Sequence, residues 1–251
     1  MKFKVLVTLT FMALLLAFSF KADIAMANTF KEVRTIKGLK TNVYEKTDGS
    51  SKILDNPTAG TLVSLISKDY SFPFAHITYM NSDMKIINGY VYDFVLDYPK
   101  HTIKVASSKS GLVVKEAPSS NSNTVATLQH KMVVKDFGSV GNGWSYVQYG
   151  NVIGYAATNF MSESKPITKY VLTHGLVVRN IASPSGSNVK ELMKYDEVLV
   201  HSTVAGWSYI TSSIYEGYVV DSHLTSKYPF TSDTSSNSSS GELWIFRFIT
   251  D

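Results

Sequence analysis

The sequence predicts an all-β chain of three tandem small barrels behind a cleaved secretory signal peptide. Three observations predict it. The same landmarks recur three times in order at a near-constant period. The segments between Gly, Asn, Ser and Pro clusters are short and rich in Val, Ile, Thr and aromatics. The first 27 residues have the layout of an export signal.

The chain opens MKFKVLVTLTFMALLLAFSFKADIAMAN. Lys2 and Lys4 form a positive start, Val5 to Phe20 an apolar core interrupted only by Thr and Ser, and Ala25-Met26-Ala27 a small-x-small cleavage site. The core is short for a span of about 20 residues, which favours cleavage over the alternative of a retained anchor. The expectation is a leader at 1–27, export to the outside or the cell wall, and no stable membrane insertion afterwards. Removing Lys2, Lys4, Lys21 and Asp23 with the leader takes the formal charge from +4 to +2. No basic run remains for nucleic acid to recognise. The 251 residues include no cysteine. Disulfides, a lipid-modified cysteine, a cysteine nucleophile and Cys-based metal sites are therefore excluded, and the fold must rest on packing alone.

The first landmark is Gly-Leu followed by an apolar run: GLKTNVYEK from Gly38, GLVVKEAP from Gly111 and GLVVRNIASP from Gly175. The second is an aromatic-led strand: FAHITY from Phe74, WSYVQY from Trp144 and WSYITS from Trp207. The third is a Gly-Tyr strand and its exit: GYVYDFVL from Gly89, GYAATNFM from Gly154 and GYVVDSHL from Gly217, spaced by 65 and 63 residues. Each third landmark carries an apolar residue seven places after its Gly: Leu96, Met161 and Leu224. The units run over 33–98, 103–164 and 167–228, the first being the most divergent. In the second unit TIKVAS, GLVVKE, TVATLQ, MVVKDFG, WSYVQYG and VIGYAA each read as a strand, with a tight hairpin at Gly150-Asn151. Only NVKELMKY from Asn188 is ambiguous between helix and strand. Several short strands in about 60 residues predict a small, partly open barrel.

The order of Gly-Leu, an apolar pair, a cation, Pro-Ser, Gly-Trp-Ser-Tyr and Gly-Tyr-Val resembles the bacterial SH3 (SH3b) domain. The resemblance spans all three units and is strongest in the second and third. It implies SH3-like barrels and non-catalytic attachment to the bacterial cell wall, with peptidoglycan peptides or another wall polymer as target. The family's usual Arg is replaced by Tyr44 and Lys115 and kept only at Arg179. The usual Trp is Phe74 in the first unit.

The residues themselves suggest binding rather than catalysis. His76, His101, His130, His174, His201 and His223 are scattered without metal-ligand spacing and read as ordinary strand or turn residues. There is no GxSxG and no phosphate-binding loop, so neither an enzyme nor a cofactor is expected. Asp93 and Asp221, four residues after their Gly, read as caps of a turn or short helix. Residues two apart on a strand share a face. Ile77, Val147 and Ile210 are aliphatic at equivalent positions and predict the core side. Trp144 with Tyr146, and Trp207 with Tyr209, then lie on the more exposed face and are candidate ligand contacts. The competing reading is that the tryptophans only close the barrel edge. Tyr90, Tyr155 and Tyr218 are expected to pack within the barrels. Lys115 and Arg179 are candidates for a carboxylate or phosphate, or solvated strand ends.

Residues 231–251 form a Ser-rich linker, TSDTSSNSSSGE, and a short apolar tail, LWIFRFITD. One reading is a chain cut short before a further domain, which would make it the targeting half of a wall hydrolase. Another is a tail that docks on a partner. A secreted protein–protein adaptor is the third functional class. The connections near Tyr98-Pro99 and Lys165-Pro166 are short and predict a semi-rigid, elongated array in which three weak sites add avidity.

Overall fold

The computed structural model describes residues 31–68 and 73–227. The expected leader at 1–27 and the Ser-rich segment with its tail at 231–251 lie outside the described residues. Among them are three seven-stranded antiparallel sheets of identical strand order, one per repeat. The first module holds β1 (Glu32–Ile36), β2 (Val43–Tyr44), β3 (Ile53–Asp55), β4 (Leu62–Lys68), β5 (Phe74–Met80), β6 (Ile86–Tyr92) and β7 (Leu96–Asp97). The second holds β8 (Thr102–Ala106), β9 (Leu112–Lys115), β10 (Thr124–Leu128), β11 (Val133–Gly141), β12 (Trp144–Tyr149), β13 (Val152–Ala157) and β14 (Met161–Glu163). The third holds β15 (Ile167–Val171), β16 (Leu176–Arg179), β17 (Asn188–Leu192), β18 (Glu197–Val204), β19 (Trp207–Thr211), β20 (Glu216–Val220) and β21 (Leu224–Thr225). In the second module the order across the sheet is β10-β9-β13-β12-β11-β8-β14.

Alternation along the strands builds each core. Ile77, Val147 and Ile210 are buried at the centre of their modules, as the pattern predicts. In the Gly-Leu strand, Leu112 and Val114 point inward while Val113 is exposed. The apolar run is thus half core and half surface, the ordinary outcome for a strand of period two. The ambiguous segment at Asn188 is β17: its one deeply buried side chain is Leu192, and it pairs with the Gly-Leu strand.

The Gly-Tyr landmark has a steric cause. Strand β13 crosses close over β9, and a Cβ on Gly154 would stand 2.4 Å from the Lys115 carbonyl oxygen and 2.8 Å from Val114 Cγ1. Gly217 meets the Arg179 carbonyl in the same way, at 2.5 Å. Only a residue without Cβ fits there.

A short 3-10 turn precedes each closing strand: Asp93–Val95, Thr158–Phe160 and Asp221–His223. Neither aspartate caps its turn. Asp93 pairs with Lys68 at 2.7 Å. Asp221 accepts hydrogen bonds from Lys169 Nζ at 2.8 Å and Ser208 Oγ at 2.6 Å. The turn closes instead through its own backbone, which leaves both carboxylates free to meet a cation from a neighbouring strand.

Gly154→Ala is expected to cost about 1–3 kcal/mol through overpacking. Urea unfolding checks this, and an unshifted midpoint would contradict the close approach of β13 to β9.

Candidate functional site

The predicted aromatic face is real in direction but is not free. Trp144 and Trp207 are half-buried, whereas Tyr146 and Tyr209 are each only 5% exposed. Neither tyrosine belongs to the core of its own module. Each is buried because the preceding module packs on it. In the first module the equivalent strand β5 keeps the alternation of a one-sided sheet, with His76 and Thr78 only partly buried between buried Ala75, Ile77 and Tyr79. In β12 and β19 every residue between the two ends is buried, on both faces.

Cross-strand rings stand in register at this position in all three modules. His76 stacks on Tyr90 at 4.7 Å, Tyr146 meets Tyr155 at 5.0 Å, and Tyr209 meets Tyr218 at 4.9 Å. The glycine-following tyrosines, expected to pack within the barrels, therefore lie on this outer face beside the landmark aromatics. Burial pushes the Tyr146, Tyr155, Tyr209 and Tyr218 hydroxyls up in pKa, so they stay neutral.

Between the first and second modules the covering surface is the outer face of β1 and β4. The Ser64 and Tyr146 hydroxyls share a hydrogen bond of 2.8 Å. Gln148 grips the β1 backbone, donating to the Lys31 carbonyl at 3.0 Å and accepting from the Val33 amide at 3.4 Å. Val33, on the outer face of its strand, is only 2% exposed as a result.

Between the second and third modules the equivalent surface of β8 and β11 does the covering. Val133, with Ile103 and Val105 beside it, packs on Tyr209 and Tyr218. His101 Nε2 lies 3.1 Å from Glu216 Oε2, and Lys135 pairs with Oε1 of the same carboxylate. Burial works against the charge on Glu216, but the His101 hydrogen bond and the Lys135 charge outweigh it and hold the carboxyl down at about 2. At the margin, Ser164 bonds His201 Nδ1 at 2.8 Å, and Ser202 donates to the Lys131 carbonyl at 2.8 Å. His201, lowered in pKa by burial, also meets Thr211 at 2.7 Å through Nε2.

Lys115 and Arg179 occupy matching places and do matching work. Lys115 Nζ donates to the Ser122 carbonyl at 2.8 Å and to Thr124 Oγ1 at 3.1 Å. Arg179 Nη1 donates to the Gly186 carbonyl at 2.6 Å and to Asn188 Oδ1 at 3.1 Å. Both cations staple the loop that follows the Gly-Leu strand, an intramolecular role that the sequence did not suggest. In the third module that loop, Asn180 to Ser187, forms one wall of a cleft of about 640 Å³ against the second module. Tyr149, Trp207, Tyr209 and Tyr218 line it, with Ile181 and Pro184 opposite. Trp144 does not line this cleft. Of the six candidate residues, then, Trp207 and Tyr209 meet at one cleft, Arg179 shapes its wall, and Trp144, Tyr146 and Lys115 stand elsewhere.

Sequence reasoning missed Gln148 and Glu216, which clamp the modules together. They differ from their counterparts (Thr78 and Thr211 for Gln148, Asn88 and Ile153 for Glu216), so a search for repeated residues passes over them. It also missed a recurring cation opposite a core valine: Arg34, Lys104 and Lys169 face Val63, Val134 and Val198 in register. Lys104 and Lys169 each reach an aspartate, Asp136 and Asp221. Among the described residues no group of His, Asp and Glu is placed to hold a metal ion, and no helix is long and apolar enough to cross a membrane.

No family model and no curated protein matches the chain. Several solved structures are similar in part, among them two from one organism. NlpC1 from Trichomonas vaginalis is 21% identical over 52% of this chain and 48% of its own, with a TM-score of 0.29. NlpC2 from the same organism is 9% identical over 76% of this chain and 92% of its own, with a TM-score of 0.30. The chain thus spans about half the length of the first.

The Glu216 clamp sets a pH dependence. A carboxyl held at about 2 in the folded chain, against an ordinary value near 4.5, stabilises docking above pH 4.5 and loses that contribution as pH falls toward 2. The contribution is up to about 3 kcal/mol. Unfolding of the third module between pH 6 and 3 is expected to show this loss, and Glu216→Gln to flatten it. An unchanged pH profile in the variant would contradict the clamp.

Proposed function

We propose that the chain is a secreted, non-catalytic binding protein of the bacterial cell wall, built from three SH3b-like modules, and that the cleft between the second and third modules takes an extended wall peptide. The observation that carries this reading is the cleft itself. Its volume of about 640 Å³ lies within the roughly 300–1,000 Å³ of ligand sites. Four aromatic rings offer rigid contact area at little entropic cost. Asn180 and Ser183 add a carboxamide and a hydroxyl to the same walls, groups that can pair with an extended peptide backbone. The resemblance of the repeat to wall-binding modules supplies the ligand class.

In this reading Trp207 is the anchor, because it borders the cleft and remains half-buried rather than fully packed. Trp207→Ala is expected to weaken retention on purified cell wall by about tenfold or more, the loss expected of a buried aromatic hot spot. Trp144→Ala should leave retention within about twofold, since Trp144 stands away from the cleft. Equal retention of wild type and Trp207→Ala would overturn the assignment. A cleared band when the chain is run on wall substrate would replace the non-catalytic reading with that of a hydrolase. Capture by a secreted protein in place of the wall would replace it with that of an adaptor.

A further inference from the structure

We propose that a second groove, on the outer face of the third module, captures the free carboxylate end of a peptide through Arg179, His174 and His223. This rests on the reading of the neighbouring cleft as a peptide site. The groove has a volume of about 370 Å³ and is floored by Val177, Val220 and Trp207, from β16, β20 and β19. Trp207 lines the cleft as well, so one indole borders both. Arg179 links them a second time. It lines the groove, and its Nη1 holds the Gly186 carbonyl of the loop that walls the cleft. A peptide in the cleft that ends beside Trp207 has the groove next to its last residue.

The donors in the groove are unspent. Arg179 uses only Nη1 on the loop, and its Nε and Nη2 make no hydrogen bond or ion pair among the described residues. Those two N–H groups form one edge of the guanidinium, a pair of parallel donors that matches the two oxygens of a carboxylate. His174 is exposed and makes no hydrogen bond among the described residues. His223 is half-buried, with Nδ1 3.4 Å from Thr173 Oγ1 and no such bond at Nε2. An imidazole N–H donates to a carboxylate, and a protonated ring adds charge to the contact. One carboxylate stands against the lining: Glu191 Oε1 would lie 3.1 Å from a Cβ on Gly175. It pairs with neither Arg179 nor the two histidines. Asp221, two residues from His223, is taken by Lys169 and Ser208.

The other modules do not repeat this set. Lys115 stands opposite Tyr155 as Arg179 stands opposite Tyr218, and Tyr44 stands opposite Tyr90. The single Lys115 nitrogen already bonds Ser122 and Thr124 of its loop. Ser110 and Phe160 hold the places of His174 and His223. Stapling the loop therefore needs one nitrogen and a lysine suffices for it. The guanidinium at 179 staples the loop equally well and keeps a whole edge for a ligand.

Titration of the full chain with N-acetyl-trialanine as its free acid and as its C-terminal amide, followed by NMR at about pH 6, tests this. The His174 and His223 rings report the groove, and Tyr149 and Ile181 report the cleft. The acid is expected to bind about tenfold more tightly than the amide and to shift both rings. Arg179→Lys should cut that preference to about threefold or less, with an unshifted melting temperature because lysine keeps the staple. His174→Gln and His223→Gln should each lower it by about twofold or more, and Glu191→Gln should raise it by about twofold. Acid and amide that bind equally, shifting Tyr149 and Ile181 but neither histidine, would overturn the groove and leave the cleft reading standing. Histidine shifts with the acid alone and none at Tyr149 or Ile181 would keep carboxylate capture and overturn the cleft. An undiminished preference in Arg179→Lys, or tighter binding of methyl phosphate than of the peptide acid, would also overturn the proposal, as would no shift with either peptide.

Discussion

The structure depends on one constraint: a module of about 60 residues without a disulfide buries too little apolar surface to be well stabilised alone. Each module here has a core of seven to nine fully buried residues, mostly valine, leucine and isoleucine. The ring pair on the outer face is a further apolar surface, and covering it with the preceding module buries it from water. Tyr146 and Tyr209 are thus part of a core that belongs to two modules at once. Two of the polar groups brought along are paired across the same junctions, Gln148 to backbone and Glu216 to His101 and Lys135, whereas the Tyr209 hydroxyl is buried without a hydrogen bond. Without those partners the same burial would cost more than the rings return.

The repeat made the fold legible. The Gly-Tyr landmark marks where one strand crosses another too closely for a Cβ, and the aliphatic residue three places after Phe74, Trp144 or Trp207 marks the core face. Both are constraints internal to one module, so they recur with it. The site was less legible for the same reason. Periodicity says that Trp144 and Tyr146 share a face, but not what covers that face. The covering residues come from far along the chain, 82 positions before Tyr146 at one junction and 209 − 133 = 76 before Tyr209 at the other, and differ at each, Ser64 at one and Val133 at the other. Lys115 and Arg179 were only partly legible, for a different reason. A cation at the end of a strand reads as available, yet each is committed to carbonyls of the loop that follows it, a bond set by loop geometry that spacing does not report.

The two tryptophans show why equivalent residues need not share a role. Both begin their strands and both are half-buried. Around Trp207 the second module contributes Tyr149 and Gly150, and the third contributes Ile181 and Pro184, so a cleft forms. Ile181 comes close enough to Gly150 that a Cβ there would stand 3.0 Å from its Cγ2. A site of this kind belongs to the junction, not to the module, and three modules joined by two unlike junctions do not offer three equal sites.

That changes what three modules contribute to binding. Independent modules on flexible linkers gain affinity by multivalency, at the cost of ordering the linkers when all engage. Docked modules forgo part of that gain, because their faces are spent on one another. In return the cleft walls are held by Glu216, His201 and Ser202 before any ligand arrives. Less ordering is then left for the ligand to drive, and that saving appears directly as affinity. A peptide seated between Tyr149 and Trp207, as proposed, would touch both modules, so its binding and the docking of the two modules would stabilise each other. The Glu216 clamp, which opposes separation of the two walls, would then act on the affinity for the proposed ligand without touching it.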